Sequence, residues 1–361
     1  MDAGADAKPD SAPIEQIGID FLPDPEETFG EADWTISIDT EIDTSALTIT
    51  PLPPIGVTFL EGTQQDGVTR VAILRVDNFR INANRKLTAK GARPLFILAK
   101  NDVSIDGLLD VSAHGNIPGP GGSAGGTGPG AGAPSVHDGA GGRYDDSGGG
   151  GGSFGSAGGP GGRAGTTSSA AGTTYAITNK LVGGASGGTA GACTNPPGAG
   201  GGALLLYARH KLIVSTSGAI SSGGGGGAGS LAAGCATGAG GGAGGGSGGS
   251  IWLQSPDING DGLLVANGGG GGGASYVGIS DGGPGQDGQP SISVAATGGT
   301  KANSTEATAG GAGAIQGTPP STIPTLTAGN SGGGGGGLGR IYYRSNDIDR
   351  LKSSPTAVAA P

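Results

Sequence analysis

The sequence predicts an all-β chain: a short β-solenoid, parallel β-helix-like, whose glycine-rich insertions form polyproline-II or polyglycine-II bundles. Three observations carry this expectation. Of 361 residues, 85 are glycine, far above the ~7% of ordinary domains. The apolar residues gather into short islands of similar layout. Within several tracts glycine recurs at every third position, the residue repeat of the polyproline-II helix.

Glycine loses more backbone entropy on folding than any other residue. A chain so rich in it either stays disordered or uses a lattice that only glycine can enter, and composition alone leaves both open. The islands supply the order. They are "VAILRVDNFRINANRKLTAKG" from Val71 to Gly91, "LFILAKNDVSIDGLLDVSAHG" from Leu95 to Gly115, "LLLYARHKLIVSTSGAISSGG" from Leu204 to Gly224, and the stretch opening "IWLQSPDINGDGLLVANGG" at Ile251. Each begins with three or four apolar residues, turns a polar corner and runs through a second apolar pair to Gly. They are too short and too rich in Val, Ile, Leu and Thr for helices, and a corner glycine would cost a helix ~1 kcal/mol. Val71 and Leu95 lie 24 residues apart, about one solenoid coil, and one coil cannot bury its apolar face without a stacked neighbour.

The order along the chain follows. Residues 1–34 form an acidic Ala/Asp/Pro-rich spacer, and 35–115 hold leading strands and the first coils. Within that block "WTISIDTEIDTSALTITPL" alternates strictly and suits a strand pair. Glycine-rich insertions at 116–202, 225–249 and 268–337 separate coils at 203–224 and 250–267, and 338–361 make a last strand and tail, "GRIYYRSNDIDRL" being a partial copy. The insertions loop out on one side while coils continue to stack. Period-three glycine marks Gly119, Gly122, Gly125 and Gly128, then Gly152, Gly155, Gly158 and Gly161, then Gly282, Gly285 and Gly288. A polyproline-II segment has no internal hydrogen bonds, so neighbours or water must meet its N–H and C=O groups. Glycine on one edge lets such segments approach closely enough to bond. Pure runs such as Gly223 to Gly227 fit both this lattice and a plain linker.

Asp257-Ile258-Asn259-Gly260-Asp261-Gly262 resembles the start of a calcium loop. Aligned with "NDVSIDGLL", however, Asp102 matches Asp257, Asp106 matches Asp261 and Gly107 matches Gly262. The Asp-Gly pair is then a coil corner with glycine at positive φ. The twelfth position, which a calcium loop fills with an acid, holds Gly268. No metal or cofactor is expected. Asp102, Asp106, Asp110, Arg75, Arg80 and Arg85 could form the carboxylate and arginine patch of a solenoid lyase, or a solvated coil face, and the second is preferred. His114, His137 and His210 show no metal-ligand spacing and read as solvated polar positions. No catalytic residue is expected.

Net charge is −10 with a pI near 4.7, which argues against nucleic acid and anionic membranes as partners. No run is long enough to span a bilayer. The acidic start fits a mature segment whose export signal was removed. Cys193 and Cys235 sit in glycine-rich sequence, where in an oxidising compartment they would pair as a disulfide. Asn303-Ser304-Thr305 matches a glycosylation sequon.

The order "RPLFILAKNDVSIDGLLDVSAHGNIPGPGG", "GGALLLYARHKLIVSTSGAISSGGGGG", "GGSIWLQSPDINGDGLLVANGGGGGG" and "GGGGGGLGRIYY" is similar to glycine-rich secreted or lipid-anchored surface proteins of myxobacteria, which often carry a label borrowed from the mycobacterial PE-PGRS proteins. The resemblance spans roughly Ser45 to Arg344, and no helical PE domain precedes the glycine region. It implies architecture and an extracellular or outer-surface location, either secreted or held by a lipid anchor upstream, and no catalytic residues. The bundles also resemble those of snow-flea antifreeze protein and phage tail-tip adhesins. The expected function is that of a non-enzymatic exported structural or adhesive surface or matrix protein, partnered by itself or by a cell-surface glycan or protein. One alternative is a glycan- or receptor-binding adhesin presenting Tyr144, Phe154, Tyr175 and Tyr276 on bundle loops. Another is ice binding through a flat small-residue face.

Overall fold

The computed structural model describes residues 18–23, 29–137, 146–190, 195–232, 240–276 and 278–361. Among them there is no helix, only short strands in three sheets. The chain enters at β1 (Trp34–Ile36) and β2 (Thr40–Asp43), then folds β3 (Thr48–Thr50) antiparallel onto β2. β4 (Thr58–Thr63) lies antiparallel on β5 (Arg70–Val76). These two hairpins pair the leading strand edges of two sheets. From β5 onward every pairing is parallel.

The first coil runs from β5 through β6 (Phe79–Ile81) to β7 (Lys86–Lys90). The second is β8 (Leu95–Ala99), β9 (Asp102–Ile105) and β10 (Leu108–Asp110). The third is β11 (Ala203–Ala208), β12 (Lys211–Val214) and β13 (Ala219–Ser221), and the fourth β14 (Ser250–Gln254), β15 (Asp257–Asn259) and β16 (Leu263–Val265). The fifth is β17 (Arg340–Arg344), β18 (Asp347–Ile348) and β19 (Lys352–Ser354), after which β20 (Val358–Ala359) rejoins the first sheet. Stacked in register, these strands give sheets ordered β4-β5-β8-β11-β14-β17-β20, β1-β6-β9-β12-β15-β18 and β3-β2-β7-β10-β13-β16-β19. This stacking is compatible with a β-solenoid. The fifth coil visits all three sheets, so the segment from Gly339 is a full copy where the sequence suggested a partial one.

Each coil buries one side chain over its counterpart in the next. Leu74, Ile97, Leu206 and Leu253 form a column in the first sheet. Phe79, Val103, Leu212 and Ile258 do so in the second, and Leu87, Leu109, Ile220 and Leu264 in the third. All belong to one core cluster. The first sheet is also covered on its outer face, where Ile73, Phe96, Leu205 and Trp252 join a second cluster. Burial on both faces explains why "LFIL" and "LLLY" are unbroken apolar runs and do not alternate.

The corner after each third-sheet strand is the exit. Between β7 and β8 only residues 91–94 bridge it, with Gly91 at φ 119°. After β10, β13 and β16 the chain leaves for a long excursion and returns at β11, β14 and β17. The three excursions therefore emerge side by side and bond to one another. Residues 240–249 show how, and all ten are buried. The amides of Gly242, Gly245 and Gly248 donate to Ser331, Gly334 and Gly337. Those of Ala243, Gly246 and Gly249 donate to Ala228, Gly225 and Ser222, and those of Gly244 and Ser247 to Gly188 and Ala185. The carbonyls of the same segment accept from three further neighbours, among them Gly149, Gly272 and Gly198. Six neighbours surround one segment, and the partner changes with a period of three.

That approach leaves no room for side chains. A Cβ on Gly246 would lie 1.9 Å from the Ala199 carbonyl oxygen, and one on Gly244 2.0 Å from that of Gly150. The glycines at coil corners have a related cause. The positive φ expected at Gly107 and Gly262 occurs instead at Gly260, 124°. Gly107 and Gly262 are required by close contact, since a Cβ there would meet Arg85 O at 2.2 Å and Val214 Cγ1 at 2.4 Å.

The region expected to be a solvated spacer, 1–34, is in part docked. Phe21 is buried edge-on against Trp252, ring centroids 4.6 Å apart, and Phe29 stacks on Tyr207. The apolar outer face of the first sheet holds these aromatics despite their acidic neighbours.

Overpacking a filled interior costs ~1–3 kcal/mol, so Gly246→Ala is expected to lower the thermal melting point by several degrees. Gly18→Ala, where a Cβ meets nothing within 4 Å, is the control and should melt with the parent. Equal melting of both variants would show that the tracts are not closely packed.

Candidate functional site

The excursions are tied to the coils at one polar clasp. Asp287, on the third excursion, accepts the amide protons of Gly115 and Gly226, each at 2.8 Å. Those glycines belong to the first and second excursions, so one carboxylate joins all three. His114 Nδ1 lies 3.3 Å from the second Asp287 oxygen, and His114 Nε2 3.7 Å from Asp110, which pairs with Lys86 at 2.7 Å. Burial pushes Asp287 upward, but hydrogen bonds from His114 and the two amides outweigh it and hold the carboxyl below its usual range. The bond to Asp287 raises His114, against its half-burial; the Asp110 and Asp287 charges add to it and Lys86 opposes. The sequence placed His114 as a solvated polar residue; its partner, 173 residues away, could not be seen there. His137 likewise meets Asp146 at 2.7 Å.

A second polar anchor holds the docked N-terminal segment. Asp20 accepts from the Trp252 indole at 2.9 Å and pairs with Arg344 at 3.1 Å, while Gln254 bonds the Asp20 amide and the Gly18 carbonyl. Burial raises the Asp20 carboxyl above its usual range, with Arg344 and the Trp252 bond opposing.

The aromatic residues expected on bundle loops do not form one surface. Phe154 is fully buried. It stacks on Tyr175 at 4.4 Å, and the Arg340 guanidinium sits over its ring. Tyr175 donates to the Gly183 carbonyl at 2.7 Å, and burial raises its phenol well above the usual range, with Arg340 opposing. This pair packs the junction between excursion and coil, so Phe154 has no face to offer a ligand. Tyr276 stands apart, packed on Ala274, Ala302 and Ala307 near the outer end of the third excursion. Tyr144, Cys193 and Cys235 lie outside the described residues.

The acid and arginine set on the coils is divided among faces. Asp102 lies in the second sheet, with Lys211 between it and Asp257 in the ladder, and Arg80 pairs with Asp106 at 2.7 Å. Asp110 belongs to the third sheet and Arg75 to the first. Asp257 bonds Asn259 and lies 3.5 Å from Lys211. Among the described residues no three His, Cys, Asp or Glu could hold a metal ion, and no helix is long and apolar enough to cross a membrane.

Two exposed stretches of the excursions carry mainly small and hydroxylated side chains. Along 167–178, Ser168, Ala170, Thr173, Thr174, Ala176 and Thr178 face solvent. A similar exposed row follows Thr318. No protein-family model, curated protein or solved structure matches the chain.

The clasp makes stability depend on pH. His114, raised in the fold, contributes fully below about pH 6.5 and loses its contribution as pH rises through its folded value. Asp287, lowered in the fold, contributes above about pH 3.8 and loses it as pH falls through its folded value. The melting-temperature gap between parent and Asp287→Asn should be widest between about pH 4 and 6.5 and narrow on either side. A gap unchanged from acid to alkaline pH would leave the clasp no electrostatic role.

Proposed function

We propose that the protein is a non-enzymatic, exported structural or adhesive protein of the cell surface or extracellular matrix, in which a short β-solenoid carries a polyglycine-II bundle. The observation that supports this most is the segment 240–249. Its backbone groups bond six neighbours with a three-residue rotation, which is how polyproline-II segments can be knitted into a stiff body without side chains. Such a body is a spacer and a surface. The resemblance to myxobacterial surface proteins supports the same location.

The exported location also bears on Cys193 and Cys235. Pro196 accepts the Ala228 amide proton at 3.1 Å, so the segments leading to the two cysteines run side by side. Their pairing as a disulfide is part of the proposal. Ice binding stays as a second reading on one observation: the exposed Thr, Ser and Ala of 167–178 form a small-residue flank. The adhesin alternative depends on Tyr276 and on Tyr144, which lies outside the described residues, with a glycan or cell-surface protein as partner.

Sedimentation of the purified protein should show concentration-dependent self-association, and protein-coated beads should adhere to one another or to the producing cells. A monodisperse, non-adhering monomer would overturn the structural reading. Thiol titration of protein taken from its native compartment should find no free cysteine. Reduction should lower its melting point by several degrees, since closing a loop of this length is worth on the order of 4 kcal/mol. Two reactive thiols would remove the disulfide.

A further inference from the structure

The outer segment "TPPSTIPTLT", Thr318 to Thr327, differs from the glycine segments it borders. It has five hydroxyl residues and three prolines in ten positions. Proline fixes φ near the polyproline-II value and holds the residue before it extended. The burial pattern repeats every three residues: Pro320, Ile323 and Leu326 are partly covered, and everything between them is exposed. Ile323 reaches toward Gly162 and Gly311, and the Leu326 amide donates to the Arg163 carbonyl at 3.0 Å. One ridge is thus fastened to the bundle.

The other two ridges carry the hydroxyls. Thr318, Ser321, Thr322, Thr325 and Thr327 are all exposed. Ser321 is engaged, accepting the Ala312 amide proton at 2.7 Å. Thr322, Thr325 and Thr327 make no side-chain hydrogen bond among the described residues. Buried hydroxyls elsewhere in the bundle are used internally, as in the Ser147–Ser169 and Ser230–Ser275 contacts. A partner that reads proline-rich segments needs prolines three apart on the open side, but Pro320 and Ile323 occupy the covered ridge. Free hydroxyls are what this flank offers.

We infer that Thr322, Thr325 and Thr327 are acceptor sites for O-linked glycosylation. Threonine and serine interspersed with proline are the composition of O-glycosylated stalks, and here the segment is extended and open, so a transferase can engage it without unfolding the bundle. The threonine oxygen attacks the anomeric carbon of a glycosyl donor activated through a phosphate ester. The new bond is C–O to threonine, the bond broken is C–O to phosphate, the phosphate leaves with the electron pair, and the hydroxyl proton passes to a base of the transferase. This inference rests on the exported location proposed above.

The test is mass spectrometry of the peptide holding 318–327, from protein purified out of fractionated native cells. Most of that peptide should carry one or more sugar-residue masses, localised by fragmentation to Thr322, Thr325 or Thr327. A triple variant, Thr322→Ala, Thr325→Ala and Thr327→Ala, should lose those masses, melt with the parent and stay in the exported fraction. Exported protein with this peptide at its bare mass overturns the glycosylation and leaves the location standing. Protein confined to the cytoplasm overturns both.

Discussion

The structure depends on one requirement: a backbone N–H or C=O removed from water must find a partner. In the coils the requirement is met by parallel ladders, strand over strand. Along 240–249 there is no sheet, and successive amides from Gly242 to Gly249 instead turn toward a different neighbour from the residue before. Chains can meet in that way only if they come nearly as close as backbone allows. The ~2 Å separation between an added Cβ and a facing carbonyl oxygen, as at Gly246 and Ala199, is the measure of that closeness. Glycine is abundant because the hydrogen bonds require it.

Coils and excursions hold each other in place. A coil is open at the corner between third and first sheet, and the chain crossing it must return to the right height for the next ladder. The amides of Gly249 and Gly339 donate back to Ser222 and Ala266, so both returns are bonded beside the departures. The coils in turn set the spacing of the excursion roots. Asp287 then ties the three roots together, and the Phe154–Tyr175–Arg340 stack fills the joint. Two of the three aromatic side chains described in the excursions, Phe154 and Tyr175, lie in this stack.

Much of the architecture was legible in the sequence because coils repeat. The alignment of Asp102 with Asp257 and of Gly107 with Gly262 matches the ladder register, which passes through Lys211 between the two acids. The three-residue glycine repeat was legible only in part. Gly282, Gly285 and Gly288 all donate to one neighbouring segment, through Ser230, Gly227 and Gly224. Gly152 to Gly161, by contrast, runs through a reversal, and the Gly151 amide donates to the Gly159 carbonyl. Gly125 and Gly128 lie in turns at positive φ. Counting glycines finds the spacing but cannot tell a straight segment from a bend. Docking of Phe21 was hidden because the sequence around it is acidic, and its ring partner, Trp252 on β14, is remote along the chain. The clasp was hidden for the same reason.

The shared corner has a consequence for how such a chain can change in length. An excursion leaves from the third sheet and must come back beside its own root to start the next coil. The second does this in its simplest form, with 240–249 returning antiparallel to 222–232, as the bonds from Ala243 to Ala228 and from Gly249 to Ser222 show. Any longer excursion must also contain an even number of segments. Growth or loss of the glycine region is therefore quantised in out-and-back pairs, because a single extra segment would leave the chain at the far end with no route to its next strand.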